Sequence, residues 1–183
     1  MARLPYLDPS DLAPEHKDLL ARNINVYRAL VHNPAALRAL HTQASYIRHG
    51  SKLDPRLREM AILQVGYLLR SPYEYSHHVK IGRDFGVSDD DIRAITAETE
   101  GRTTNLAPLD KAVLRAAREM TTDLTASDAT FAELRQHLDN DELIDLLLTI
   151  GFYNAVCRVL ATLQIDVEED YLQYLEEFPL PKA

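Results

Sequence analysis

Glu74 and His78 are the residues of this 183-residue chain whose types and spacing best suit chemistry. Glu74 and His78 lie four apart in the run Tyr73-Glu74-Tyr75-Ser76-His77-His78. On a helix that spacing sets the carboxylate one turn before the imidazole. The ring titrates near neutrality and a neighbouring carboxylate decides where, so the pair is a tuned proton donor and acceptor. Glu74, His78, Gly82 and Phe85 share one helix face, with Ile81 beside them. Tyr73, His77, Lys80 and Asp84 form a neighbouring face that is polar apart from the tyrosine ring. His78 is therefore expected to point into apolar surroundings, and His77 to look to solvent.

A purely structural reading fits the same residues. Ser71-Pro72-Tyr73-Glu74 is also a capping box, with Ser71 at the N-cap and Glu74 three residues on. Glu74 and His78 would then be an ordinary pair along a helix flank. Glu74-x-x-His77 is half of a di-iron motif, which requires a second copy and two further glutamates. No second Glu-x-x-His occurs, and Glu133 and His137 are four apart. A single-metal site at Glu59, Glu74 and His78 has no recognisable spacing, so no metal is expected. The one cysteine, Cys157, excludes an internal disulfide and an in-chain Cys-x-x-Cys pair. It sits among Ala155, Val156 and Val159, where burial would raise its pKa and suppress thiolate chemistry.

Helices must position these groups. The chain has 28 Leu and 21 Ala against 9 Val and 9 Ile, with only 6 Gly and no Trp, which predicts an all-α fold. Asn33-Pro34, Asp54-Pro55 and Ser71-Pro72 each place a capping side chain before a proline, and Ser88 and Ser127 precede acidic first turns. Helices are expected over 14–31, 34–49, 55–70, 72–85, 89–98, 108–122, 128–137, 141–164 and 168–177. The loop 99–107 divides the chain. Even so, Met60–Leu69 and Leu143–Leu163 are each nearly all apolar and should cover one another in a single helical bundle. That domain spans 14–177, between an irregular arm at 1–13 and a tail at 178–183.

Twenty basic against 28 acidic residues give a net charge of −8, which argues against a nucleic-acid partner. The first residues lack the apolar stretch and cleavage site of a signal peptide. The longest apolar run, Leu143–Ile165, contains Asp145, Asn154 and Arg158 and so reads as a buried core helix rather than a membrane span. A soluble, cytoplasmic protein is expected, and a lone thiol suits that reducing compartment.

Residues 57–95 resemble the carboxymuconolactone decarboxylase and alkylhydroperoxidase D-like superfamily. The resemblance is carried by Arg58-Glu59, a hydrophobic helix, then Ser71-Pro72-Tyr73-Glu74 where redox members carry Cys-x-x-Cys. His78 stands at the motif histidine and Gly86-Val87-Ser88 at the following turn. Residues 138–160 resemble the helix that closes the fold, and the likeness extends over most of 15–165. It implies a helical bundle of the alkylhydroperoxidase D-like type that assembles into homo-oligomers, trimers or hexamers. In peroxidatic members two cysteines do the redox chemistry, with a glutamate and a histidine as proton relay. Here Glu59 and His78 resemble the relay, but Ser71 and Glu74 occupy the sulfur positions. Serine forms neither a sulfenic acid nor a disulfide, so a peroxide-reducing cycle of that kind lacks its centre.

What remains suits the decarboxylase side of the superfamily. A lactone whose carboxylate is conjugated to its own carbonyl loses carbon dioxide without a cofactor, given an acid–base group, a clamp and a dry pocket. The expected reading is a cofactor-independent acid–base enzyme acting on a small carboxylated lactone or keto acid. His78 is the candidate acid–base, oriented by Glu74 or Glu59. Arg158 is the candidate substrate clamp, with Asn154 and Thr162 on the same polar stripe. The alternatives for Arg158 are a pairing with Glu59 or a place in a subunit interface. Ser71 and Tyr73 are further substrate-binding candidates, and Tyr67 and Tyr153 further hydroxyl donors. Two other readings stay open: a peroxiredoxin-like antioxidant protein, and a non-catalytic oligomer that binds a small ligand.

Overall fold

The computed structural model describes residues 2–182, and its regular elements are helical throughout. Met1 of the expected arm and Ala183 of the expected tail lie outside the described residues. Two short 3-10 helices, Pro9–Asp11 and Pro14–Leu20, precede nine α-helices. These are α1 (Asn25–Leu30), α2 (Pro34–Ser45), α3 (Pro55–Leu68), α4 (Pro72–Asp84), α5 (Asp89–Thr99), α6 (Pro108–Thr122), α7 (Asp128–Leu134), α8 (Asn140–Leu163) and α9 (Glu169–Glu177).

Local sequence writes most of the helix starts. Asn33, Asp54, Ser88 and Ser127 each accept a hydrogen bond from a first-turn amide, removing one of the donors that a helix leaves unsatisfied. Ser71 is the exception: its side chain makes no cap, and the expected capping box with Glu74 does not form. Proline at the first helical position still starts α4 there. The α4 helix ends through Gly86, whose φ of +91° only glycine adopts readily, and the Val87 amide bonds back to the Gly82 carbonyl at 2.9 Å.

The two apolar helices pack on each other as their composition requires. Leu57, Ala61, Ile62 and Val65 of α3 share one core with Leu143, Leu146, Ile150, Tyr153 and Cys157 of α8, closed by Ala112, Val113 and Ala116 of α6. By length and composition α8 is apolar enough to cross a membrane, with a third of that stretch buried. Its Asp145 nevertheless accepts bonds from the Tyr46 hydroxyl at 2.7 Å and the Lys52 amide at 2.7 Å, which tie it into the bundle as a core helix. Helices α3 and α4 approach closely because glycine stands at the crossings. A methyl group on Gly82 would meet Val87 at 3.3 Å and the Glu59 Cβ at 3.6 Å, and one on Gly66 would meet the Tyr75 backbone at 3.4 Å.

Two expected helices are broken. The run 14–31 divides into the 3-10 helix and α1, with a break at 21–24. The amides exposed at the start of α1 are satisfied from elsewhere: Asn25 donates to Glu168 at 2.7 Å and Val26 to the Tyr73 hydroxyl at 3.2 Å. The run 34–49 leaves α2 after Ser45 and continues as a wider π-helical turn over Tyr46–Gly50. The N-terminal arm is not loose either. Arg3 donates to the Leu163 carbonyl, Leu7 to that of Arg28, and the Tyr6 hydroxyl bonds Asp166.

Candidate active site

The site is built where α3 and α4 cross. His78, 3% exposed, sits between two carboxylates. Its Nδ1–H donates to Glu59 Oε2 at 2.6 Å across the helix pair, and its Nε2–H lies 3.0 Å from Glu74 Oε1 on its own helix. The Glu59 carboxylate in turn takes the Arg58 Nε–H at 3.0 Å, while Arg58 donates to the Arg48 carbonyl at 3.2 Å and lies over the Phe85 ring. Burial works against charge on His78, but Glu59 and then Glu74 outweigh it and lift its pKa to about 9. Burial alone would raise the Glu59 carboxyl, yet His78 and Arg58 hold it below the ordinary glutamate value. The ring is therefore an imidazolium at neutral pH, in a buried group of two cations and two anions.

One end of this hydrogen-bonded group meets open space. Glu74, His78, Tyr153 and Tyr73 line a cavity of about 70 Å³ whose remaining walls include Ile24, Val26, Leu40, Ile81, Phe152 and Val156. Glu59 lies behind His78 at 1% exposure. The Tyr153 ring meets His78 edge-on at 5.0 Å, and its hydroxyl has no partner among the described residues. Burial, with Glu74 and Glu59 nearby, pushes that phenol well above its usual pKa, so it stays a hydrogen-bond donor.

Sequence reasoning thus brings Glu59, Glu74 and His78 together, and separates the rest. His77 is buried, against expectation. It stacks between Tyr73 and Tyr171, with centroids 4.3 and 3.7 Å away, and its Nε2 bonds Glu168 at 2.8 Å, because α9 folds over a face that looked polar. Tyr73 shares that network, its hydroxyl donating to Glu168 at 2.9 Å while its ring lines the cavity. Ser71 is buried and does not line the cavity. Arg158 is exposed, does not reach Glu59, and bonds the carbonyl and side chain of Asn154 on its own helix. Asn154 itself donates to Thr121, and Thr162 to the Arg158 carbonyl, so the polar stripe of α8 stands apart from His78. Tyr67 lies in a separate core beside Tyr75. Burial and the Glu74 charge push the Cys157 thiol up to about 12. Both ring nitrogens of His78 face carboxylate oxygens, and no cluster of three or more metal-ligating side chains occurs among the described residues.

Arg22 and Arg48 were not singled out from sequence, yet both line the cavity. Arg22 arrives there through the break before α1, and Arg48 through the wide turn after α2. Neither irregularity has a local sequence signature.

Residues 34–119 match the model of the carboxymuconolactone decarboxylase family, a segment that holds Glu59, Glu74 and His78. That segment is similar to the carboxymuconolactone decarboxylase family. The alkylhydroperoxidase D-like fold extends over the chain. A peroxidase-related protein of Ralstonia eutropha JMP134 with an alkylhydroperoxidase D core superposes with a TM-score of 0.80 at 19% identity, covering 99% of this chain and 98% of its own. One from Silicibacter sp. TM1040 gives 0.72 at 21%, covering 92% of each. The debrominase Bmp8 gives 0.80 at 18%, covering 96% and 97%, and a cysteine-to-alanine variant of that enzyme has been solved with 2,3,4-tribromopyrrole. Comparison with curated protein sequences finds no match.

Proposed function

We propose that this protein is a cofactor-independent acid–base enzyme that moves a proton on a small carboxylated lactone or keto acid, in the manner of a decarboxylase. The observation that carries this reading is the relay Glu59–His78–Glu74, buried at one end and open to a small apolar cavity at the other. Its geometry refines the roles. Glu74 stands at the cavity wall, and His78 beside it is the proton store that Glu59 keeps charged. When the substrate's carbon–carboxylate bond breaks, the electron pair passes into the adjoining carbonyl system and carbon dioxide leaves. Glu74 then delivers to carbon the proton it shares with His78, and solvent restores it. The free Tyr153 hydroxyl supplies a donor for the enolate oxygen in a site from which apolar walls exclude water.

Paired-cysteine peroxide chemistry has no sulfur at residues 71 and 74, and the remaining thiol is buried with its pKa about 12. Self-assembly belongs to the same proposal. Ile144, Leu148 and Val159 are exposed along one stripe of α8, continued by Gly151 and Ala155, which is how a helix presents a packing seam. A reducing cytoplasm suits the single thiol.

The test is turnover of carboxylated lactones and keto acids in D2O, following carbon dioxide release and deuterium at the product carbon. Glu74→Gln and His78→Gln should each lower the rate by about 100-fold or more. Unchanged rates in both variants would sink the acid–base reading.

A further inference from the structure

We propose that Arg22 and Arg48 form a carboxylate subsite at the mouth of the cavity, holding an anionic group that stays on the substrate through the reaction. This deepens the acid–base reading and rests on it for the direction in which the substrate lies. The cavity beside Glu74 does not end at its own walls. A second hollow of about 310 Å³ lies against it and shares Arg22, Tyr27, Ala44 and Arg48. The two are one recess, with Glu74 and Tyr153 at the inner end and Arg22, Arg48, His41 and His49 outside.

Neither guanidinium has a partner among the described residues. Arg28, Arg38, Arg56, Arg83, Arg93 and Arg102, by contrast, each pair with a carboxylate. Two unpaired cations on one recess leave a positive mouth, which attracts an anion and suits the planar fork of a carboxylate. Backbone irregularity puts them there. Arg22 lies in the break before α1, and Arg48 in the wide turn where the Ser51 amide bonds the Tyr46 carbonyl five residues back. The Arg48 charge reaches inward, where it lowers the Tyr153 phenol against the stronger effects that raise it. His41 adds a neutral polar atom. Its Nε2 is buried without a partner, the ring packs edge-on to Tyr27 at 4.3 Å, and burial holds its pKa below the ordinary value.

The orientation follows from what each end is good for. A carboxylate departing as carbon dioxide loses its charge, so a cation bound to it would favour the ground state over the transition state. The arginines therefore belong to a group that keeps its charge, while the reacting carbon lies inside against Glu74. The body between them meets Ile24, Leu40 and Phe152 and is apolar.

Benzoate and benzamide, matched in shape and differing in charge, test the subsite by titration calorimetry. The wild-type protein should bind benzoate about tenfold or more tightly than benzamide. Arg48→Gln and Arg22→Gln should each weaken benzoate several-fold, and together remove the preference, with benzamide unchanged and the thermal melt retained. Benzamide binding as tightly as benzoate, no benzoate binding, or unaltered benzoate affinity in the double variant would each overturn the proposal. Glu74→Gln, inactive under the acid–base reading, should keep the preference for benzoate, so the subsite and the reaction fail separately.

Discussion

His78 Nδ1 lies 2.6 Å from Glu59 Oε2, so the acid–base pair joins two helices rather than two turns of one. Both partners are almost fully buried, and the charge of each is compensated only by the other and by Arg58 and Glu74. Removing one partner leaves an uncompensated charge in the core, which costs about 3–5 kcal/mol. Glu59→Gln should therefore lower unfolding free energy by that amount in urea. A loss under about 1 kcal/mol would show that the pair is not charged in the folded protein.

The sign of the pH dependence follows from the same ring. His78 titrates at about 9 in the folded protein and at about 6.5 when free, so its contribution to stability is complete below the lower value. It is lost as pH rises through the upper one. The stability difference between wild type and His78→Gln should shrink from about pH 6 to about pH 10. A constant difference would contradict a charged imidazole.

Cys157, with its pKa near 12, carries roughly a thousandfold less thiolate at pH 8 than an ordinary cysteine. Labelling by a disulfide reagent should be slow without denaturant and prompt in its presence. Any residual peroxide consumption should be equal in wild type and Cys157→Ser. A faster wild type would restore the thiol as a reactive group.

Glu168 ties the cavity wall to α4, accepting from the Asn25 amide, the Tyr73 hydroxyl and His77. Burial alone would raise its carboxyl, but these bonds hold it near 2. Glu168→Ala should cost about 2–3 kcal/mol and speed hydrogen exchange at the Asn25 and Val26 amides. Exchange at those amides that matches wild type would mean that the wall holds itself.

The α8 stripe predicts a homo-oligomer in solution. Leu148→Glu should lower the mass measured by light scattering without changing helical content, because the side chain is exposed in the single chain. A monomeric wild type at micromolar concentration would contradict the assembly.

What the sequence made legible was local. Caps at Asn33, Asp54, Ser88 and Ser127 are interactions within three residues, and α6 runs from Pro108 to Thr122 as its pattern requires. The meeting of Glu74 with His78 was legible because they share one helix face, and Glu59 stood out through a family resemblance. Distant partners decided the rest. His77 looked solvent-facing until α9 laid Tyr171 and Glu168 over it, ninety-one residues from Glu168 along the chain. The break before α1 depends on Tyr73 and Glu168, and so Arg22 escaped notice. Arg158 stood out only for being polar on an apolar helix, and its own helix satisfies it.

Gly82 stands one turn beyond His78, with the Glu59 Cβ 3.6 Å from where its own side chain would begin. The missing methyl group acts as a gauge block between the helices. An alanine there would press on Val87, which must give by a few tenths of an ångström, and would meet the Glu59 Cβ in ordinary contact. The narrow gap beside His78 is in this sense kept by the turn at Val87, and a residue with no functional group leaves that turn its room.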